Sequence, residues 1–202
     1  MFCLRAATDS AWATSAVTDL DAVLVDHAHC EMKAATNALS LVVRHSSDLG
    51  LVRALTEIAR EELEHFQRVV DFLEARGLRL GSPPVDDYAA ELRRAMNRLP
   101  ATDLPLVVDR LLVGALIEAR SCERFKLLIQ VLPESCPADL RAFYEELFAC
   151  EARHYRQYVD LALRAAGSLA ALVEPRLQAL AEAEAGIVRS LAERDARGTV
   201  HG

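Results

Sequence analysis

Two segments of this 202-residue chain place a histidine three residues after a glutamate: EELEHF, with Glu62 and His65, and CEARHY, with Glu151 and His154. On a helix, residues three apart share one face. The neighbouring residues tell which face it is. Leu55, Ile58, Ala59, Phe66, Val69 and Phe72 fall on the stripe of the first pair, and Phe148, Tyr155, Tyr158 and Leu161 on that of the second. Both pairs are therefore expected to point inward. Upstream of each lies a further glutamate embedded in small and apolar residues, Glu31 in HAHCEMKAATNAL and Glu118 in GALIEARSCERF. Glu118 shares its face with Leu111, Ala115, Cys122, Phe125 and Ile129. The two halves repeat with an offset of 87 to 89 residues, and EMKAA and EARSC both carry a glutamate, a base two residues on and small residues at the next two places.

Four ionised carboxylates in an apolar interior demand cations, because each unpaired one costs several kcal/mol. Two divalent metals supply a charge of +4, and two neutral imidazoles complete the set. A Glu from each of two helices with a Glu-x-x-His from each of two others is a di-iron carboxylate site. Glu31, Glu62, His65, Glu118, Glu151 and His154 are thus the expected metal ligands. Iron is favoured over zinc because an oxygen-rich environment suits two oxidation states. The remaining acids read differently: Glu61, Glu64, Glu145 and Glu146 as solvated or paired one turn away, and Glu123, between Arg120 and Lys126, as a surface pair. Near the ligands, Glu61 is placed to turn toward a ligand histidine of a neighbouring helix and fix its tautomer. His27, with Asp26 and His29, fits a solvated or packing role as well as a functional one. Cys30, Cys122 and Cys150 read as small buried space-fillers, and Tyr155 and Tyr158 as core aromatics able to donate hydrogen bonds or relay electrons.

The elements that must carry these residues follow from composition. Eight Gly and seven Pro leave few turns, while 34 Ala and 31 Leu favour helix, so the fold class is all-α and an all-β fold is excluded. Loop signals at 76–87, 99–105, 132–137 and 165–168 separate predicted helices at 18–46, 50–76, 86–97, 104–132, 138–165 and 169–195, with a break at 46–50. Pro175 moves the effective start of the last helix to about Glu174. Two antiparallel pairs joined by a long connection that contains a short helix match a ferritin-like four-helix bundle with a crossover, extended by a C-terminal helix. A single domain over 1–202 is expected, its core bundle at 18–165, with the RGTVHG tail frayed. The chain has no apolar run long enough to span a membrane and no signal peptide at its start, which points to the cytoplasm. Five scattered Cys without a CxxC read as reduced thiols. A net charge of -7, which two ferrous ions would bring to about -3, argues against indiscriminate binding of nucleic acid, though not against a local basic patch.

At LVDHAHCEMKAATNALSLV, REELEHF, GALIEARSCERF and CEARHYRQYVDLA the chain resembles the bacterial tRNA-(2-methylthio-N6-isopentenyladenosine) hydroxylase family, from Trp12 to the last helix. The resemblance implies a non-haem di-iron monooxygenase that uses O2 and an external electron donor, a reductase or ferredoxin-like protein. Its implied substrate is the isopentenyl group of a hypermodified adenosine at position 37, in the tRNA anticodon loop. The family's iron ligands fall on Glu31, Glu62, His65, Glu118, Glu151 and His154, with none missing. An apolar pocket for the isopentenyl group would draw on residues such as Phe66, Leu111 and Phe125. Lys33, Arg44, Arg53, Arg60, Arg93, Arg94, Arg98, Arg120 and Lys126 are candidates for a basic rim facing phosphates, with Arg93 and Arg94 the best cluster. The alternative is a ferritin- or rubrerythrin-like iron-oxidising protein. A quinone hydroxylase fits less well, since the last helix is too acidic to anchor on an anionic membrane.

Overall fold

Helices take up most of the described residues, 2–83 and 85–194, of the computed structural model. The RGTVHG tail lies outside them. Seven α-helices occur among the described residues: α1 (Ser10–Thr18), α2 (Leu20–Arg44), α3 (Leu49–Ala75), α4 (Asp87–Arg98), α5 (Leu106–Val131), α6 (Ala138–Ala166) and α7 (Val173–Arg194). A 3-10 turn, Gly167–Leu172, leads into α7, so the last helix begins where Pro175 falls in its first turn. The all-α class and the borders of α2 to α7 agree with the sequence to within a few residues, α7 starting at Val173 beside the expected Glu174. Helix α1 was not expected. It begins beyond Asp9, whose carboxylate accepts from the Ala11 backbone N–H at 2.9 Å, and its nine residues are too few to show a period.

The chain divides into two compact units, one formed by residues 15–85 and the other by 2–14 with 86–194. In the first, α2 and α3 pair as an antiparallel hairpin across a four-residue turn. Asp19 and Asp48 cap their N-termini, each accepting a backbone N–H three residues on, at 3.0 and 2.9 Å. Arg76, at the end of α3, bonds Asp21, at the start of α2, at 2.7 Å. Gly77 then takes φ +69, which lets the Leu78 N–H close on the Leu73 carbonyl at 2.9 Å and stops the helix.

In the second unit α5 and α6 form the corresponding hairpin, with α4 and α7 packed together beside α5. Two buried arginines join α7 and α5. Arg176 forks onto Asp109 at 2.7 and 2.8 Å and also donates to the Pro100 carbonyl. Arg120, fully buried, forks onto Glu184 at 2.9 Å through both Nε and Nη2, and Tyr88 of α4 donates to the same carboxylate at 3.1 Å. The other edge of Arg120 gathers the N-terminal segment: it donates to the Ala6 carbonyl and Thr8 Oγ1, each at 3.0 Å, and to Glu123, which in turn accepts from Thr8 Oγ1 at 2.6 Å. Two sequence readings are corrected here. Glu123 is not a surface pair, since it closes a buried network, and Arg120 cannot belong to a basic rim, since no part of it reaches solvent.

Candidate metal centre

Each unit carries one glutamate and one Glu-x-x-His, brought together by its own hairpin. On α2 and α3, ligand atoms of Glu31, Glu62 and His65 lie within 4.8 Å of one another. On α5 and α6 the same holds for Glu118, Glu151 and His154. All six residues are buried, none more than 7% exposed. The inward stripes expected from the sequence hold for Leu55, Ile58, Ala59 and Val69 on α3 and for Tyr158 and Leu161 on α6. Phe66, Phe72, Phe148 and Tyr155 stand at the edges of those stripes, half-buried.

The two histidines present the same atom to their carboxylates. His65 Nδ1 is 3.5 Å from Glu62 Oε2 and 3.6 Å from Glu31 Oε2, and His154 Nδ1 is 3.5 Å from Glu151 Oε2. Those separations are long for hydrogen bonds. Two ligands each about 2.1 Å from one cation, at roughly a right angle or a little more, stand about 3.0–3.4 Å apart. The donor atoms are therefore spaced nearly as a shared cation would hold them, and carboxylate oxygens with neutral imidazole suit iron. The residues present fit a metal centre on geometry and on donor chemistry.

The surroundings differ between the units. His27, fully buried, holds Glu31: its Nε2 lies 2.6 Å from Glu31 Oε1. Burial pushes the Glu31 carboxyl up, but the hydrogen bond of His27 and then the nearby His65 ring outweigh it and bring the pKa down to about 2. The solvated reading of His27 and His29 is thereby overturned; His29 is also buried, its Nε2 3.0 Å from the Leu80 carbonyl. In the other unit His154 Nε2 faces the Cys150 sulfur at 3.6 Å. Cys122 donates to the Phe148 carbonyl, and burial followed by the Glu151 and Glu118 charges raises its thiol to about 12. Cys30 is buried as well, as space-filling thiols should be. Tyr155 stacks on Phe2, ring centroids 4.3 Å apart. Glu61 is half-buried, Glu64 pairs with Arg60, and Glu145 and Glu146 are exposed.

Of the residues suggested for an apolar pocket, Leu111 and Phe125 are buried and Phe66 half-buried. Arg44, Arg53, Arg60, Arg93, Arg94, Arg98 and Lys126 are exposed and Lys33 partly so, with Arg60 engaged by Glu57 and Glu64 and Arg94 by Glu91. Sequence reasoning missed Asp109, Arg176 and Glu184. The signal for Glu184 was present: it shares the α7 stripe of Leu177, Leu180 and Ala181, an acid among apolar residues as Glu118 is.

Comparison with known proteins bears on this geometry. Residues 1–197 match the family described as tRNA-(MS2IO6A)-hydroxylase (MiaE). A curated relative from Pseudomonas putida, named tRNA 2-(methylsulfanyl)-N(6)-isopentenyladenosine(37) hydroxylase, is 42% identical over 77% of this chain and 72% of its own. A protein of the same name from Salmonella typhimurium is 30% identical over 93% of this chain and 84% of its own. Among solved structures, "Protein 43 with aldehyde deformylating oxygenase activity from Synechococcus" superposes with a TM-score of 0.85 at 37% identity, covering 100% of this chain and 96% of that one. The fold is accordingly ferritin-like. Among the described residues no helix is long and apolar enough to cross a membrane.

Proposed function

This chain belongs to the tRNA-(MS2IO6A)-hydroxylase (MiaE) family, and from that premise we propose that it hydroxylates the isopentenyl group of 2-methylthio-N6-isopentenyladenosine at position 37 of tRNA, using O2 and two iron ions. The observation that carries the reading is the pair of buried half-sites, each a Glu with a Glu-x-x-His, in a chain matched along its length by tRNA hydroxylases. Glu31, Glu62 and His65 of one hairpin and Glu118, Glu151 and His154 of the other would be the metal ligands.

Iron, when bound, supplies the redox chemistry by which O2 is activated, which side chains lack. The chain's own part is electrostatic and steric. Four carboxylates would balance the +4 of two ferrous ions, and the neutral imidazoles of His65 and His154 would complete the set without adding charge. Buried Leu55, Ile58, Leu111 and Phe125 keep water away from the inward faces on which the ligands stand. The overall reaction inserts one atom of O2 into a C–H bond and reduces the other to water, consuming two electrons and two protons. The electrons come from an external donor, a reductase or a ferredoxin-like protein. The tRNA presents an anticodon-loop base to the protein, and exposed arginines such as Arg93 and Arg94 of α4 meet its phosphates. The enzyme works in the cytoplasm, where its tRNA substrate is found.

The test is nucleoside mass spectrometry on tRNA carrying the isopentenyl modification, after incubation with iron-loaded protein, O2 and a reductant. The expected result is a gain of one oxygen atom on that adenosine alone. O2 consumption with iron oxidation and unaltered nucleosides would instead support a ferritin- or rubrerythrin-like iron-oxidising protein.

A further inference from the structure

Aligned by their 87- to 89-residue offset, the two halves of the chain differ at several places beside the ligands, two of them one turn away on the ligand face. One turn before Glu31 stands His27, and one turn before Glu118 stands Gly114; one turn after His65 stands Val69, and one turn after His154 stands Tyr158. In residues 15–85 the large polar ring is on the first helix of the hairpin and the smaller residue on the second. In the other unit the order is reversed, and the Tyr158 ring closes over Gly114: a Cβ built on Gly114 would lie 2.9 Å from Tyr158 Cε1. A histidine has no room at position 114.

The exchange matters because His27 touches a ligand. Its ring is fully buried, and Nε2 stands 2.6 Å from Glu31 Oε1. An ionised carboxylate only accepts, so the ring donates. That bond engages Oε1 and leaves Oε2 directed at His65 Nδ1, 3.6 Å away. We infer that His27 is a positioning residue that holds the Glu31 carboxylate with Oε2 toward the metal, and that Gly114, at the matching place, cannot hold Glu118 in that way, so the two metal positions are unequal and fill with different affinities. The inference rests on the proposed di-iron centre and extends it: the halves repeat in their ligands and differ in what orients them. Groups that orient metal ligands typically carry a 10- to 100-fold effect on metal affinity.

Anaerobic titration of the metal-free full chain with ferrous ion, followed by calorimetry, tests it. The wild type should show two unequal steps. His27→Ala should weaken one step by roughly 10- to 100-fold and leave the other in place, while His27→Gln, whose amide can donate to Oε1, should restore most of the loss. If His27→Ala does not fold, His27→Leu, closer in volume, takes its place. Two steps unchanged in the Ala or Leu variant would overturn the role of His27 while leaving the di-iron reading intact. Equal weakening of both steps without rescue by Gln would also overturn it, marking His27 as packing alone. Wild-type protein that takes up no iron would overturn the di-iron reading itself.

Discussion

Glu118 and Glu123 lie five residues apart on α5 and do unlike work. Glu118 stands on the inward face with Glu151 and His154, whereas Glu123 turns to Thr8 and Arg120. Glu118→Ala is expected to bind at most one iron per chain and to lose hydroxylation by at least about two orders of magnitude, more than the loss usual for a residue that merely orients a ligand. Glu123→Ala should keep its iron and lose stability, by about 1–3 kcal/mol, because Arg120 and Thr8 give up a buried partner; iron analysis beside thermal melting separates the two outcomes. Thiol chemistry offers another check. Cys122, its thiol raised to about 12 by burial and the neighbouring carboxylates, stays protonated at pH 8, while Cys136 is partly exposed. In metal-free folded protein iodoacetamide should label Cys136 and spare Cys122, as read by peptide mass spectrometry. At this scale the sequence was informative wherever a charged residue interrupted an apolar stripe, as Glu62 and Glu118 do. It was uninformative about His27, because a polar residue next to a ligand looks alike on paper whether it packs, is solvated or binds.

At the scale of elements, the long helices were legible because their apolar periodicity runs for many turns between Pro- and Gly-bearing loops. The short α1 was not, and neither was the way α7 is fastened to α5. That fastening depends on ion pairs between residues 64 and 67 positions apart, Arg120 with Glu184 and Arg176 with Asp109, and helical periodicity holds no record of such pairings. The Arg120 reading failed for this reason: a base one turn from a Glu looks like a surface pair until a partner arrives from another helix. Removing that partner should be costly. Glu184→Ala leaves a fully buried guanidinium without its main countercharge and is expected to destabilise the protein by about 3–5 kcal/mol. Thermal unfolding measures this, and a melting temperature equal to the wild type's would show that Arg120 is compensated elsewhere.

Across the whole molecule, the repeat at 87 to 89 residues corresponds to two hairpins that carry one kind of ligand set. Neither half offers enough ligands for two metals, so the proposed activity depends on both. The net charge of -7 fits this arrangement, since the proposed centre accounts for four of the negative charges and tRNA need then meet only the exposed arginines. Mössbauer spectroscopy of the full chain reconstituted with iron-57 and oxidised in air tests the proposed centre most directly. Two ferric ions per chain, coupled to a ground state without net spin, are predicted. Isolated ferric ions with magnetic hyperfine splitting, or a single iron per chain, would contradict the proposed di-iron centre.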